Sequence, residues 1–335
     1  MKKTEKDNMK TEKIRQFSFP YNGTNVKKYL NKLEKYKDSI HDVFLALPGF
    51  SNYFSRLGEF NVEYDINCYE FLKETKNTWI KRYITLNADY SKYTSYQMDT
   101  TINNLINQIK YFKIDGVICT DFHMAASLHQ ALPELKINTS CNSFHWNTRQ
   151  LHTWRKYTNV DLVNTPRETG RLLPFLKKVK DDGFKIKLLL NEVCYIYCPY
   201  ITTYCNDVHE YVGCFSEMLA EPKSIFQSCI ILPRWLKYLD DFVSVYKITG
   251  RYMETDHIFN LLKLYIAGED CLYSDLLMDH PQYAKFTTKI IPDKLMHCNL
   301  ENCHKGCTIC GELVKIAEQQ TGINIRKAML EERKE

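Results

Sequence analysis

The chain repeats one pattern eight times: a short run of β-branched and aromatic residues, then a stretch with helical spacing. The runs are Phe17–Pro20, Asp42–Leu47, Arg82–Asn87, Gly116–Thr120, Ile137–Cys141, Asp161–Thr165, Lys185–Asn191 and Val245–Thr249. Helix-period segments lie between them, among them Asn25–Tyr36, Thr101–Phe112, Met124–Leu132, Thr148–Tyr157, Thr169–Asp181 and Pro233–Phe242. Strands alternating with helices build a parallel sheet. Eight such units over roughly 250 residues match a (β/α)8 barrel, the TIM-barrel architecture. An open doubly wound sheet is the competing α/β solution. It is disfavoured because the first run leads into Tyr21, Asn22, Gly23 and Thr24, without a glycine-rich phosphate turn.

This reading divides the chain into a basic leader (residues 1–16), the barrel (17–268) and a C-terminal extension (269–335). The leader carries six basic and three acidic side chains and is expected to be flexible. The segment Cys229–Leu232 also reads as a strand, which would make nine. It is placed as a short strand ending an elongated loop after the seventh barrel strand. A loop this long inside a compact domain is either functional or misassigned.

Cysteine is the abnormal component. There are 13, an odd number, and the leader has no apolar stretch of the kind a secretory signal needs. A reducing, cytoplasmic setting is expected, in which thiolates meet metal. The net charge of +5 on 335 residues is no nucleic-acid signature. No apolar run reaches about 18 residues, so no membrane partner is expected.

The cysteines fall into two sets. Cys194, Cys198, Cys205, Cys214 and Cys229 share the long loop. Several thiolates brought together there would hold iron–sulfur or zinc, and the long irregular spacing suits a cubane better than a zinc knuckle. The bland alternative is five structural thiols. Cys298, Cys303, Cys307 and Cys310 form the second set. The spacing of Cys303, Cys307 and Cys310 is that of radical S-adenosylmethionine enzymes, but no barrel follows it and Cys298 could fill a fourth position. A closed four-cysteine site, iron–sulfur or zinc, is favoured, and this tail could fold back to lend a ligand to the loop set. The expected ligands are Cys194, Cys198, Cys214, Cys229, Cys298, Cys303, Cys307 and Cys310, holding one [4Fe–4S] cluster or two, with zinc as the option at the C-terminal cysteines.

In a barrel the chemistry sits at the carboxyl ends of the strands. Those ends carry Asn22, Asn87, Asp121, His123, Asn142, Asn164, Arg167, Asn191, Glu192 and Arg251. Asparagine and aspartate also favour strand-end turns for purely structural reasons.

The stretch KIKLLLNEVCYIYCPY, followed by CIILPRWLKYLDDFVSVYKITGR, resembles the collagenase-like peptidase U32 family and its relatives. Upstream, DGVICTD, LPELKINTSCN and VDLVNTPRE fit that family's barrel rhythm. The resemblance spans roughly residues 17–310. It implies a barrel with a [4Fe–4S] cluster held by four cysteines at its mouth, and oxygen-independent hydroxylation of RNA bases or quinone precursors. It assigns Cys194 and Cys198 best and Cys214 as a third ligand. It leaves the fourth among Cys205, Cys229 and the C-terminal set. Where relatives are expected to have a histidine after the Cys-Pro pair, this chain has Tyr204 and Cys205.

The leading expectation is an iron–sulfur redox enzyme acting on a peptide, RNA or small aromatic substrate. In it Glu192, His123 and Asp121 would move protons, and Asn22, Asn87, Asn191 and Arg251 would bind substrate. A hydrolase is the second reading; it lacks GxSxG and HExxH, and an Asp121–Glu192 carboxylate pair leaves the cysteines unexplained. A third is a non-catalytic iron–sulfur subunit that works with a partner protein or as a homodimer.

Overall fold

The computed structural model describes residues 14–47, 62–87, 94–192, 196, 221–251, 253–272, 275–276, 295–296, 298 and 307–327. Eight parallel strands close into a barrel in sequence order. They are β1 (Phe17–Pro20), β2 (Ile40–Leu45), β3 (Arg82–Leu86), β4 (Gly116–Cys119), β5 (Lys136–Thr139), β6 (Val160–Asn164), β7 (Ile186–Leu189) and β8 (Val243–Lys247). The ring closes where Phe17 pairs with Tyr246 and Ser18 with Lys247.

Helices α1 (Val26–Leu33), α2 (Val62–Glu74), α3 (Ser95–Phe112), α4 (Phe122–Ala131), α5 (Thr148–Tyr157) and α6 (Leu173–Asp181) follow the first six strands. Helix α7 (Thr255–Ala267) follows β8, and α8 (Ile309–Thr321) lies in the C-terminal extension. Their starts have local causes. The side chains of Asn25, Asp121 and Asn147 accept backbone N–H groups at the first turns of α1, α4 and α5. Thr94 and Gln97 form a capping box that starts α3 six residues before the expected Thr101.

The outer face of the barrel carries the main apolar core. Tyr21 stacks on Phe71 with ring centroids 4.3 Å apart, and Phe19 packs against Phe259 at 4.9 Å, joining β1 to α2 and α7. The expected leader is held at its end: Arg15 donates to Asp240 at 2.8 Å, and the Gln16 carbonyl accepts from Tyr246 N–H.

Two expectations change after β7. Pro233–Phe242 is not an α-helix but a 3₁₀ turn, Pro233–Tyr238, with i→i+3 bonds such as Trp235 N–H to Leu232 O. It lies flat because Trp235 and Leu236 are both fully buried. Cys229–Leu232 does not form the short strand expected at the end of the long loop. It runs beside the exit of β7, where Ile231 N–H donates to Leu190 O. Arg171 donates to Ile230 O at 3.1 Å, and Tyr265 Oη donates to Ile231 O at 2.9 Å. This return leg of the long loop is thus anchored from three sides.

Candidate functional site

The rim at the carboxyl ends of the strands is tied together by side chains. Asn191, fully buried after β7, donates to Thr249 O at 3.1 Å and accepts from Thr249 N–H at 2.8 Å. Asn22, after β1, donates to Met253 O at 2.8 Å. Arg251 crosses from β8 to β3 and donates to Thr85 Oγ1 at 2.8 Å. Arg167 donates through Nη2 to Asn142 Oδ1 at 2.8 Å and through Nε to Glu192 Oε2 at 3.3 Å. Asn142, Arg167 and Glu192 therefore form a chain across the exits of β5, β6 and β7.

The other predicted residues are dispersed. Asp121 caps α4, accepting Met124 N–H at 2.7 Å. His123 is exposed on the first turn of that helix, and Asn87 is half-buried after β3. Cys194, Cys198, Cys205, Cys214 and Cys303 lie outside the described residues. Cys307 is exposed, and Cys310 is half-buried against the main core.

Two predicted ligands from different cysteine sets lie at one small apolar cluster. Cys229 is buried in a small cluster with Ile196, and Cys298 of the extension packs against it. Burial pushes the Cys229 thiol up, and the carboxylates of Glu168 and Glu192 push the same way against the guanidiniums of Arg167 and Arg171. Burial also raises Cys298; Arg171, hydrogen-bonded to its sulfur, opposes this, while Cys307 adds to it. Helix α8 packs on the 3₁₀ turn Pro222–Gln227, so the extension folds back onto the long loop. Among the described residues, no three His, Cys, Asp or Glu side chains take up a metal-binding arrangement.

Charge beside the Cys229 thiol is mixed, with Glu168 and Glu192 set against Arg167 and Arg171. Four cysteinates around iron–sulfur or zinc leave a net negative charge, which needs cations when buried. Arg167 and Arg171, each 6% exposed, face the Cys229 sulfur, and Arg171 faces Cys298 as well.

Below the rim the barrel interior is polar, which the sequence reading missed. Lys187 Nζ lies 2.8 Å from Asp42 Oδ2 and 3.2 Å from Ser18 Oγ. Burial alone would raise the Asp42 carboxyl, but Lys187 and His41 hold it well below the usual range. Phe44, Tyr83 and Ile118 form a small apolar cluster apart from the main core. Lys247 Nζ sits 4.4 Å above the Phe44 ring, and burial lowers its pKa to about 8. Neither side-chain polar atom of the fully buried Asn138 has a hydrogen-bond partner, which costs about 1–3 kcal/mol for such a group. One signal was available: Lys187 stands between Ile186 and Leu188 in a buried strand, where an ammonium requires an anion.

Residues 28–173 match the family model of Peptidase family U32. The chain is 22% identical over 179 residues to an uncharacterised protease of Methanocaldococcus jannaschii, a match covering 49% of this chain and 53% of the relative. It thus spans about half the length of that curated relative. The structure of the U32 peptidase Mk0906 superposes with a TM-score of 0.50 and 9% identity, covering 74% of this chain and 98% of that one, and shares the fold. N-acetylneuraminate lyase from Mycoplasma synoviae aligns with a TM-score of 0.40 and 11% identity over 94% of this chain and 95% of its own.

Proposed function

On the premise that this chain is a barrel of the peptidase U32 family, which the match over residues 28–173 supports, we propose that it is an iron–sulfur redox enzyme. Its reaction would be an oxygen-independent hydroxylation, or a related redox modification, of a substrate held at the barrel mouth. One observation supports this reading: Cys298 from the extension packs on the small cluster of Ile196 and Cys229, and Arg171 is hydrogen-bonded to the Cys298 sulfur and to Ile230 O. A guanidinium hydrogen-bonded to a thiol favours its thiolate, the form that binds metal.

The bound cluster would supply electron transfer or an open iron for substrate. The chain's own groups do the rest. Arg171 and Arg167 offset thiolate charge. Glu192, 7% exposed and held by Arg167, would accept or return a proton at the mouth. Arg251, tied to Thr85, adds positive charge at the rim.

Hydrolysis has less support. Asp121, the carboxylate that would work with Glu192, is engaged as a helix cap, and His123 is exposed on α4. Anaerobic purification with iron and sulfide counting, and a paramagnetic resonance spectrum after reduction, tests the proposal. Stoichiometric iron and sulfide that fall in Cys229→Ala are expected; zinc alone, or no metal, would overturn it.

A further inference from the structure

A concavity of about 900 Å³ lies at the foot of the barrel, at the end away from the rim. Its walls come from the amino ends of β2 to β7 and from the turns that lead into them. Cavities of this size accept small molecules. Barrel enzymes keep their reactive groups at the opposite end, so the redox site does not account for it. Tyr83 of β3 is one of the lining residues. Gly116 of β4 makes room for that ring: a Cβ there would fall 2.3 Å from Tyr83 Cε1 and 2.7 Å from Lys136 O.

The charge around this cavity is unbalanced. Of its acids, Asp115 is taken by Arg82, whose backbone N–H donates to it at 2.8 Å and whose Nε lies 3.3 Å away. Asp161 is taken by Lys185 Nζ at 3.5 Å and by the Tyr83 hydroxyl. Lys81, Lys110, Lys113 and Lys136 are exposed and form no ion pair with another described residue. Among the described lining residues, only the acid Glu134 is left to answer them. Lys110 and Lys113 also suit the carboxyl end of α3. Lys81 and Lys136 stand at the starts of β3 and β5, where no helix end calls for a cation. Lys113 sits at φ 54, a left-handed conformation usually given to glycine, and Arg82 Nη2 donates to its carbonyl. His41 adds a ring nitrogen: Nδ1 is tied to the buried Asp42 carboxylate at 2.7 Å, and Nε2 has no partner among the described residues.

We propose that this foot cavity binds a small molecule bearing a diphosphate or triphosphate group, gripped by Lys81, Lys110, Lys113 and Lys136. Four ammonium groups facing one unengaged carboxylate leave an excess of three positive charges, which such a group matches. No arginine is among the described lining residues, so the planar fork that grips a carboxylate is missing. Lysines act instead as point charges, which suit the oxygens of tetrahedral phosphorus. The cavity is remote from the thiols and from Glu192, so the proposal holds whether or not the redox reading does.

The test is calorimetric titration of the full chain with inorganic pyrophosphate and tripolyphosphate at fixed ionic strength, with malonate as the carboxylate control. At least one of the two phosphates binds with a Kd of about 1 mM or tighter, and malonate binds at least about tenfold more weakly. The double variant Lys81→Gln with Lys136→Gln weakens phosphate binding by about tenfold or more. Lys27→Gln with Lys28→Gln removes the same charge from the exposed face of α1 and changes affinity by less than about twofold. All four positions are exposed, so both proteins are expected to fold, which circular dichroism checks. Should one not fold, protection of Lys81 and Lys136 from acetylation by bound tripolyphosphate is read in the wild-type chain by mass spectrometry. A single-stranded RNA of about 12 nucleotides is titrated as the polymeric alternative. Absence of binding by both phosphates, malonate binding as tightly as pyrophosphate, equal weakening in the two double variants, no protection, or binding of RNA without either phosphate would each overturn the proposal.

Discussion

Lys187 and Asp42 meet at 2.8 Å across the inside of the barrel, both fully buried, one on β7 and the other on β2. Replacing only one partner leaves a charge in a place without water. Asp42→Asn is expected to destabilise the fold by about 3–5 kcal/mol, and the double variant Asp42→Leu with Lys187→Met to recover most of it. Urea denaturation of the three proteins measures this; equal losses in the single and double variants would refute it.

The same pair sets an acid limit. Asp42 is held below its unfolded value, so its contribution is complete above about pH 4 and is lost as pH falls through the lower folded value. The difference in urea midpoint between wild type and Asp42→Asn should therefore shrink below about pH 4 and be constant above it.

Lys247 gives a slope of the same sign at alkaline pH. Its amine drops from 10.5 to about 8 in the folded chain. Between those values the unfolded state binds more protons, so stability rises with pH across that window and is flat below it. Relative to Lys247→Met, the wild-type chain should gain on the order of 3 kcal/mol from pH 8 to pH 10.5. Denaturation of both proteins at the two ends of the window checks the sign.

Asn191 holds the exits of β7 and β8 together through both ends of its amide. Asn191→Ala leaves the Thr249 N–H without that acceptor and is expected to cost about 1–3 kcal/mol. Faster hydrogen exchange at Thr249, with the strands below it unaffected, would locate the damage.

Arg171 lowers the Cys298 thiol against burial. Arg171→Met should slow alkylation of Cys298 at neutral pH, with fold retention checked by circular dichroism. An unchanged rate would show that the guanidinium does not act on that sulfur.

The eight strands were legible because each is a compact β-branched or aromatic run bounded by polar turn residues, and the barrel follows from their alternation with helices. Periodicity did not show where the last two strands stop. Runs expected to reach Asn191 and Thr249 leave the ladder at Leu189 and Lys247, because the Asn191 side chain takes over the Thr249 backbone. The site was legible only in kind. Rim residues such as Glu192 and Arg251 follow from strand ends. The Asp42–Lys187 contact joins positions 145 residues apart, and Cys298 packs on the Ile196–Cys229 cluster from an extension whose helix α8 lies back on the long loop. No local pattern encodes such meetings; they are set by ring closure and by the docking of the extension.

That closure has a consequence for any attempt to divide the molecule. Lys247 is in register with Ser18, so the interior amine hangs from the joint between the first strand of the circle and the last. Titration of that amine would therefore report a completed circle, which helix content alone cannot do.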